Sequence, residues 1–196
     1  ETDWRQILGD SRIDIVSITT PNNLHREMAM AFLAAGKHVW CEKPMALTLD
    51  DAVAMTTAAA TSKAKTLLGY NYIRNPALAH ARKIILDGTL GRIIHFRGQV
   101  DEDYQADENV PWSWRSRLET GGLGVLGDLT CHLVSFAHYL VGDIAQVCAD
   151  IDTVHKMRLV PGSGEKRGVE NEDIAHAMVR FGSGATGILM ASRAAH

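Results

Sequence analysis

Three short apolar runs, separated from one another by helix-like segments, constrain most strongly what this chain can fold into. The runs cover residues 14–20, 38–41 and 66–69, and Pro21-Asn22-Asn23 is a turn and helix-start signal after the first. Residues 24–35 carry apolar side chains at helical spacing up to Gly36, and residues 48–63 form an Ala-rich helical segment that opens with a capping-box pattern. Because parallel strands need crossover connections, this alternation predicts a parallel sheet.

The pattern changes after residue 72. The predicted elements are a helix from Pro76 to Asp87, a strand 91–100, an irregular polar segment 101–120, a helix 129–140, a strand 145–154, a polar loop 157–170 and two strands, 175–181 and 185–191. Gly182-Ser183-Gly184 between the last two strands is a hairpin signal, which favours antiparallel pairing. We therefore expect an α/β fold: the later strands of a nucleotide-binding parallel sheet in residues 1–73, then an α+β domain in residues 74–196.

Composition and charge argue against several classes of protein. The chain of 196 residues is 46% hydrophobic and 22% charged with a net charge of −3, which gives no reason to expect nucleic acid or a membrane surface as partner. Its longest apolar runs fall short of the roughly 20 residues that a membrane span needs. The three cysteines form no CxxC pair, so neither a disulfide framework nor a metal site is expected. A reducing cytoplasm is the expected location.

Residues 122–127 match the GxGxxG pattern of a dinucleotide-binding turn, but their context argues against that function. The segment before them is polar and irregular, where a buried strand should lead into the turn. Asp128 would also place a carboxylate where the helix N-terminus should receive a pyrophosphate. We expect these glycines to allow a close approach of the backbone instead. With no other fingerprint present, and no element closing the chain after residue 192, the sequence reads as a fragment.

Two groups of residues suggest acid–base chemistry. Glu42-Lys43-Pro44 ends the second strand, and Pro44 restricts Lys43 to extended conformations, although a solvated lysine is the common alternative. Asp128 and His132 lie four residues apart on a predicted helix and project from one face, although a helix cap with an unrelated histidine has the same spacing. Histidine titrates in the range that a base for a hydroxyl proton requires. In this hypothesis Asp128 orients His132, His132 takes the proton of the substrate hydroxyl, and Lys43 polarises the oxygen of that hydroxyl.

Several motifs together resemble one family. They are Thr20-Pro21-Asn22, His25, residues 35–39, Glu42-Lys43-Pro44, Gly69-Tyr70-Asn71-Tyr72 and residues 122–132. In this order they resemble the glucose–fructose oxidoreductase/inositol dehydrogenase/MocA (Gfo/Idh/MocA) family over residues 14–191. The resemblance implies a Rossmann domain followed by an α/β domain on an open, mostly antiparallel sheet. It also implies that the genuine Gly-rich turn and much of the final sheet are missing, so the fragment alone should neither bind dinucleotide tightly nor turn over.

The resemblance implies roles for particular residues. Lys43, Asp128 and His132 correspond to the catalytic set, and the cofactor NAD or NADP is expected at Thr20, Pro21, Asn22, His25, Glu42, Lys43 and Asn71. Capping of the first helix is the plainer explanation of Asn22 or Asn23. Trp114 and Arg115 are candidates for contacts with the substrate. Leu129 and Ser135 depart from the pattern of relatives that act on inositols, which weakens a specific inositol assignment.

The expected function is hydride transfer between nicotinamide and a sugar, cyclitol or related alcohol. A non-catalytic ligand-sensing regulator of the same fold and an NAD-dependent glycoside hydrolase remain as alternatives. The intact Lys43, Asp128 and His132 favour the enzyme, because a sensor has no need of all three. The expected partners are a sugar-like or polyol substrate and, at full length, further copies of the chain in a dimer or tetramer.

Overall fold

The computed structural model describes residues 3–195, which form two compact units. The first unit runs to Gly69 and also includes Glu119–Gly122, whereas the second comprises Tyr70–Leu118 and the chain from Leu123 onward. None of the helices in the described residues is both long enough and apolar enough to cross a membrane.

The first unit is built on a three-stranded parallel sheet. Its strands are β1 (Ile15–Ile18), β2 (His38–Cys41) and β3 (Thr66–Leu68), in the order β1-β2-β3. Helices α1 (His25–Ala34) and α2 (Leu49–Thr61) make the two crossovers, and short 3₁₀ turns lie at Trp4–Ile7 and Asn22–Leu24. The predicted parallel sheet is confirmed.

Local signals explain the ends of these helices. Gly36 follows α1 with φ of 75°, a left-handed conformation that glycine adopts without steric cost. At α2, the Thr48 hydroxyl accepts a hydrogen bond from the Asp51 amide at 3.1 Å, while the Asp51 carboxylate pairs with Arg26. The structure thus shows the Thr48 half of the predicted capping box. Apolar side chains of α1, including Met28 and Phe32, are buried against the sheet.

The second unit combines helices with a mostly antiparallel sheet. Helix α3 (Pro76–Leu86) precedes β4 (His95–Asp101), a 3₁₀ turn (Trp114–Ser116) and a short helix α4 (Leu118–Gly121). A π-turn (Leu126–Thr130) leads directly into α5 (Cys131–Leu140). Strands β5 (Ile144–Asp152), β8 (Ile174–Phe181) and β9 (Thr186–Ser192) join β4 in the order β4-β9-β8-β5; only β4 and β9 pair in parallel.

Three boundaries in this unit differ from the sequence-based expectations. Strand β4 begins at His95, because Gly91 lies in a turn with φ of 66°. The helical segment that carries Asp128 begins at Leu126 and opens as a π-turn. The segment predicted as a polar loop, 157–170, contains an antiparallel hairpin of β6 (Met157–Leu159) and β7 (Lys166–Gly168). Burial of Arg158, which is 1% exposed, anchors this hairpin through tertiary contacts that no local pattern reveals.

The core of the second unit lies between α5 and one face of the four-stranded sheet. Leu129, Leu133 and Ala137 pack there against β8 and β9, and side chains along β8 alternate between buried and exposed. The opposite face of the sheet is open, with Met178 of β8 63% exposed and paired with the exposed Cys148 of β5. This packing holds the π-turn that carries Asp128, and the start of α5 that carries His132, against the sheet.

Candidate functional site

The first group of candidate residues lies at the carboxyl ends of two neighbouring strands. Thr20, Pro21 and Asn22 follow β1, and Glu42 and Lys43 follow β2, which pairs with β1 in parallel register. These side chains are half-buried, and the Lys43–Pro44 peptide bond is cis. Ligands of open α/β sheets bind at this edge, so the fold brings these predicted residues to a suitable place.

His25 joins these two strand ends. Its ring is fully buried, with Nδ1 2.9 Å from the carbonyl oxygen of Pro44 and Nε2 3.1 Å from that of Thr20. Both ring nitrogens therefore contact the backbone of segments that carry other candidate residues. Through these two contacts His25 holds the ends of both strands in place.

The Glu42 carboxylate occupies the space above Gly69, the residue that follows β3. A Cβ atom at Gly69 would lie 2.8 Å from Glu42 Oε2, so a larger residue there would displace the carboxylate. The Lys43 amide lies 3.3 Å from the same oxygen. The neighbouring Cys41 thiol is buried, and this burial together with the charge of Glu42 raises its pKa to about 12.

Asn22 bonds within the first unit without capping the helix that follows it. Its side-chain amide donates to the carbonyl oxygen of Gly121 at 2.7 Å, and the 3₁₀ turn that begins at Asn22 has no side-chain cap. The adjoining Gly122 has φ of 69°, and a Cβ atom there would lie 2.8 Å from Leu47. The contact with residues 119–122 thus replaces the simple capping that the sequence left open for Asn22.

The GxGxxG segment allows close backbone packing, as predicted. A Cβ atom at Gly124 would lie 1.9 Å from the carbonyl oxygen of Glu172. The amide of Val125 donates to that oxygen, and the amide of Leu126 donates to Glu172 Oε1, both at 2.9 Å. Because Glu172 occupies amides at the start of the helix, and α4 rather than a strand precedes the glycines, this segment is not a phosphate cradle.

The second group of candidate residues lies where the π-turn passes into α5. Asp128 belongs to the π-turn, and its Oδ2 accepts a hydrogen bond of 2.5 Å from the Tyr104 hydroxyl. His132 is 5% exposed, and its ring stacks on Tyr72 with centroids 4.4 Å apart and contacts the edge of Tyr70 at 5.8 Å. Burial raises the pKa of Tyr70 to about 12.

Sequence reasoning did not single out Tyr104 or Glu172. Tyr104 lies 24 residues from Asp128, and Glu172 lies 46 residues from Leu126, so no local spacing indicates either contact. Tyr70 and Tyr72 flank Asn71 in a quoted motif, which is a signal that could have identified them. Asn71 itself lies directly before the 3₁₀ turn Tyr72–Arg74 and is exposed.

Trp114 and Arg115 contact each other. The Arg115 guanidinium lies 4.3 Å from the centroid of the Trp114 ring, a cation–π geometry. The carbonyl oxygen of Arg115 accepts a hydrogen bond from the Asn171 side chain at 2.6 Å, which anchors the turn. An aromatic ring beside a guanidinium is suited to a hydroxylated ring such as a sugar, but these contacts alone do not assign a ligand.

The residues of the first unit fit part of a dinucleotide. Hydroxyl, amide, carboxylate and ammonium groups at the ends of β1 and β2 suit the hydrogen-bonding groups of a nicotinamide riboside. In residues 3–195, however, no strand of the parallel sheet is followed by a Gly-rich turn, so this part of the chain holds no cradle for the phosphates. Over the same residues no group of three or more His, Cys, Asp or Glu side chains is placed to hold a metal ion.

Comparison with known proteins assigns both halves of the chain to one kind of protein. The profile described as "Oxidoreductase family, NAD-binding Rossmann fold" matches residues 2–70, and that described as "GFO/IDH/MocA C-terminal domain" matches residues 78–196. A levoglucosan dehydrogenase of Pseudarthrobacter phenanthrenivorans is 40% identical over the whole chain and 53% of its own length. A 1,5-anhydro-D-fructose reductase of Ensifer adhaerens is 35% identical over 93% of the chain and 51% of its own length.

Solved structures give the same result. A levoglucosan dehydrogenase in complex with NADH and L-sorbose superimposes with a TM-score of 0.96 and 42% identity over the whole chain and 52% of its own length. An NAD-binding oxidoreductase from Klebsiella pneumoniae superimposes with a TM-score of 0.93 and 45% identity, with the same coverage. The chain thus spans about half the length of the relatives it matches.

Proposed function

Because this chain belongs to the Gfo/Idh/MocA family of NAD-binding oxidoreductases, we propose that the whole protein transfers a hydride between nicotinamide and an alcohol carbon of a sugar. The expected family is confirmed by the two profile matches. The observation that carries the proposal is that one chain holds both Lys43 at the carboxyl end of β2 in its first unit and a buried His132, four residues after Asp128, in its second. These are residue types that an alcohol oxidation requires for proton transfer.

The proposed reaction assigns one role to each of these residues. His132 takes the proton from the substrate hydroxyl as the carbonyl forms, and Lys43 stabilises the developing charge on that oxygen. Asp128 orients the His132 imidazole and stabilises it once it is protonated. NAD⁺, when bound, supplies the acceptor for the hydride. In the reverse direction His132 returns the proton to the carbonyl oxygen.

We assign cofactor contacts to the strand-end residues. Thr20, Pro21, Asn22, Glu42 and Lys43 are proposed to contact the nicotinamide half, together with Asn71, while His25 acts through the carbonyls that it holds. The position of these residues at the edge of the parallel sheet supports the assignment. The profile description and the neighbour with NADH favour NAD over NADP.

An anhydro sugar is the substrate class that we propose first. Levoglucosan and 1,5-anhydro-D-fructose, after which the two relatives are named, are both anhydro sugars. Trp114 and Arg115 are proposed to contact such a ring. Their cation–π pair supports this proposal, because the indole offers an apolar face and the guanidinium offers hydrogen-bond donors. Leu129 and Ser135, which depart from the inositol pattern, are consistent with this choice.

A substrate panel tests this function. The whole protein is mixed with NAD⁺ or NADP⁺ and with levoglucosan, other sugars or cyclitols, and nicotinamide absorbance is followed. We expect sugar-dependent reduction of NAD⁺, with levoglucosan among the best substrates. Cofactor binding without any redox change on the whole panel would contradict the proposal, and a hydrolysed sugar with NAD retained would favour the glycosidase instead.

The location and assembly of the whole protein are also proposals. We propose a reducing compartment such as the cytoplasm, because all three cysteines are free thiols. The homo-oligomer implied by the resemblance stays a prediction, which light scattering of the whole protein would measure. The exposed apolar side chain of Met178 on the open face of the sheet supports it.

A further inference from the structure

Tyr104 donates a hydrogen bond to the carboxylate that the proposed function assigns to orient His132. Its hydroxyl lies 2.5 Å from Asp128 Oδ2, and both side chains are partly buried. Burial, followed by the negative charge and the hydrogen bond of Asp128, raises the pKa of Tyr104 far above its usual value. The phenol therefore keeps its proton throughout the neutral range and acts there as a donor.

The segment that carries Tyr104 is held in place by buried groups. The amide of Gln105 donates to the carbonyl oxygen of Arg193 at 2.9 Å, which extends the pairing of β4 with β9. Arg158, 1% exposed, donates to the carbonyl oxygens of Gln105 at 2.7 Å and Asp107 at 2.9 Å. Because the backbone directly after Tyr104 is fixed in this way, the Tyr104 hydroxyl has little freedom to move away from Asp128.

The carboxylate on the other side of this bond is also fixed by its element. The π-turn is closed by a hydrogen bond from the Cys131 amide to the carbonyl oxygen of Leu126, and Glu172 binds the amide of Leu126 at the start of the turn. Such single π-turns are rare in proteins as a whole, and many of those that occur lie at functional sites. Here the turn carries Asp128, and His132 follows in the first turn of α5.

We propose that Tyr104 is a positioning residue: its hydroxyl fixes the Asp128 carboxylate and keeps it ionised, so that Asp128 can orient His132. This inference rests on the proposed function. A hydrogen bond to a carboxylate favours its ionised form, and a fixed carboxylate selects one orientation of the imidazole. Tyr104 itself does not touch the reacting atoms in this proposal.

The inference predicts a shift in the pH dependence of activity. Removing the hydroxyl makes Asp128 more basic, and a more basic carboxylate also holds a proton on His132 more tightly. Both effects move the acid limb of the kcat/KM profile to higher pH. Among the described residues, the titratable or charged groups that face the pair include Glu102 and Arg193, which act on Tyr104, and Tyr70, Tyr72 and Cys131, which lie beside His132 or Asp128. All of these stay unchanged in the variant.

Tyr104→Phe in the whole protein is the test, with Tyr139→Phe as the matched control. Tyr139 lies on α5, and its ring contacts Arg82, so the control removes a hydroxyl from the same unit and keeps the ring contact. We expect Tyr104→Phe to lower kcat about 10- to 100-fold with little change in KM and to raise the acid limb. The control should match the wild type in all three quantities.

The outcomes separate this inference from the proposed function. A wild-type protein without sugar-dependent turnover contradicts the proposed function itself. An active wild type whose Tyr104→Phe variant keeps the wild-type acid limb overturns the inference alone. In an Asp128→Asn background, Tyr104→Phe should cause no further loss, and an additive loss would also overturn it. If Tyr104→Phe does not fold, Tyr104→3-fluorotyrosine, a stronger donor, should lower the acid limb, and an unmoved limb would overturn the inference.

Discussion

At the scale of a single residue, His25 explains how two separate strand ends keep a common geometry. Its two ring nitrogens contact the carbonyl oxygens of Pro44 and Thr20, at 2.9 and 3.1 Å, from a fully buried position. The pattern Thr20-Pro21-Asn22 with His25 indicated a functional histidine. It did not show that the imidazole faces backbone atoms, because that contact depends on Pro44, which lies 19 residues further along the chain, beyond the end of β2.

Replacing His25 by Ala should destabilise the first unit. The change removes the buried ring that contacts both carbonyl oxygens and opens a cavity, and we expect a loss of about 2–3 kcal/mol in the free energy of unfolding. Chemical denaturation of the whole protein measures the loss. The exposed His80→Ala serves as control and should leave the stability within error. Equal stability of the two variants would contradict the clamping role of His25.

At the scale of elements, the start of α5 depends on a glycine that admits another backbone. Gly124 lies so close to Glu172 that a Cβ atom would be 1.9 Å from the carbonyl oxygen, and Glu172 in turn binds the amides of Val125 and Leu126. The glycine pattern and its unsuitable flanks predicted close packing. The identity of the partner could not be predicted, because Glu172 comes from the chain just before β8.

Gly124→Ala should displace the π-turn from Glu172 and so disturb Asp128 and His132 together. We expect a marked loss of stability, with activity of the whole protein reduced even in the folded fraction, because backbone atoms cannot yield as a flexible side chain can. Gly168→Ala is the matched control, since a Cβ atom there meets nothing within 4 Å. Thermal unfolding and turnover measure both variants. Wild-type behaviour of Gly124→Ala would contradict the packing argument.

The elements also show how far local patterns reach. The alternation of apolar runs with helices was sufficient to predict the parallel sheet, and Gly182-Ser183-Gly184 was sufficient to predict the β8–β9 hairpin. The β6–β7 hairpin was missed, because its strands are three residues long and Arg158 buries itself through carbonyls of residues 105–110. A charged residue in a polar stretch gives no sign of such burial.

At the scale of the whole molecule, the two units carry complementary parts of one proposed chemistry. The first holds Lys43 and the strand-end residues in the region matched as an NAD-binding Rossmann fold, and the second holds Asp128 and His132 in the region matched as the C-terminal domain. Lys43, Asp128 and His132 are candidates from their motifs, and their roles stay predictions. Tyr104 could not be found in this way, because its contact with Asp128 forms only once the segment after β4 packs against the π-turn.

Turnover by Lys43→Met and His132→Ala variants of the whole protein tests the central claim most directly. Each change removes a group assigned to the reacting oxygen, so kcat should fall about 10²- to 10⁴-fold on the best sugar, while calorimetry still detects NADH binding. Lys63→Met, an exposed lysine at the end of α2, controls for loss of a positive charge and should keep wild-type turnover. Wild-type kcat in either Lys43→Met or His132→Ala would contradict the account.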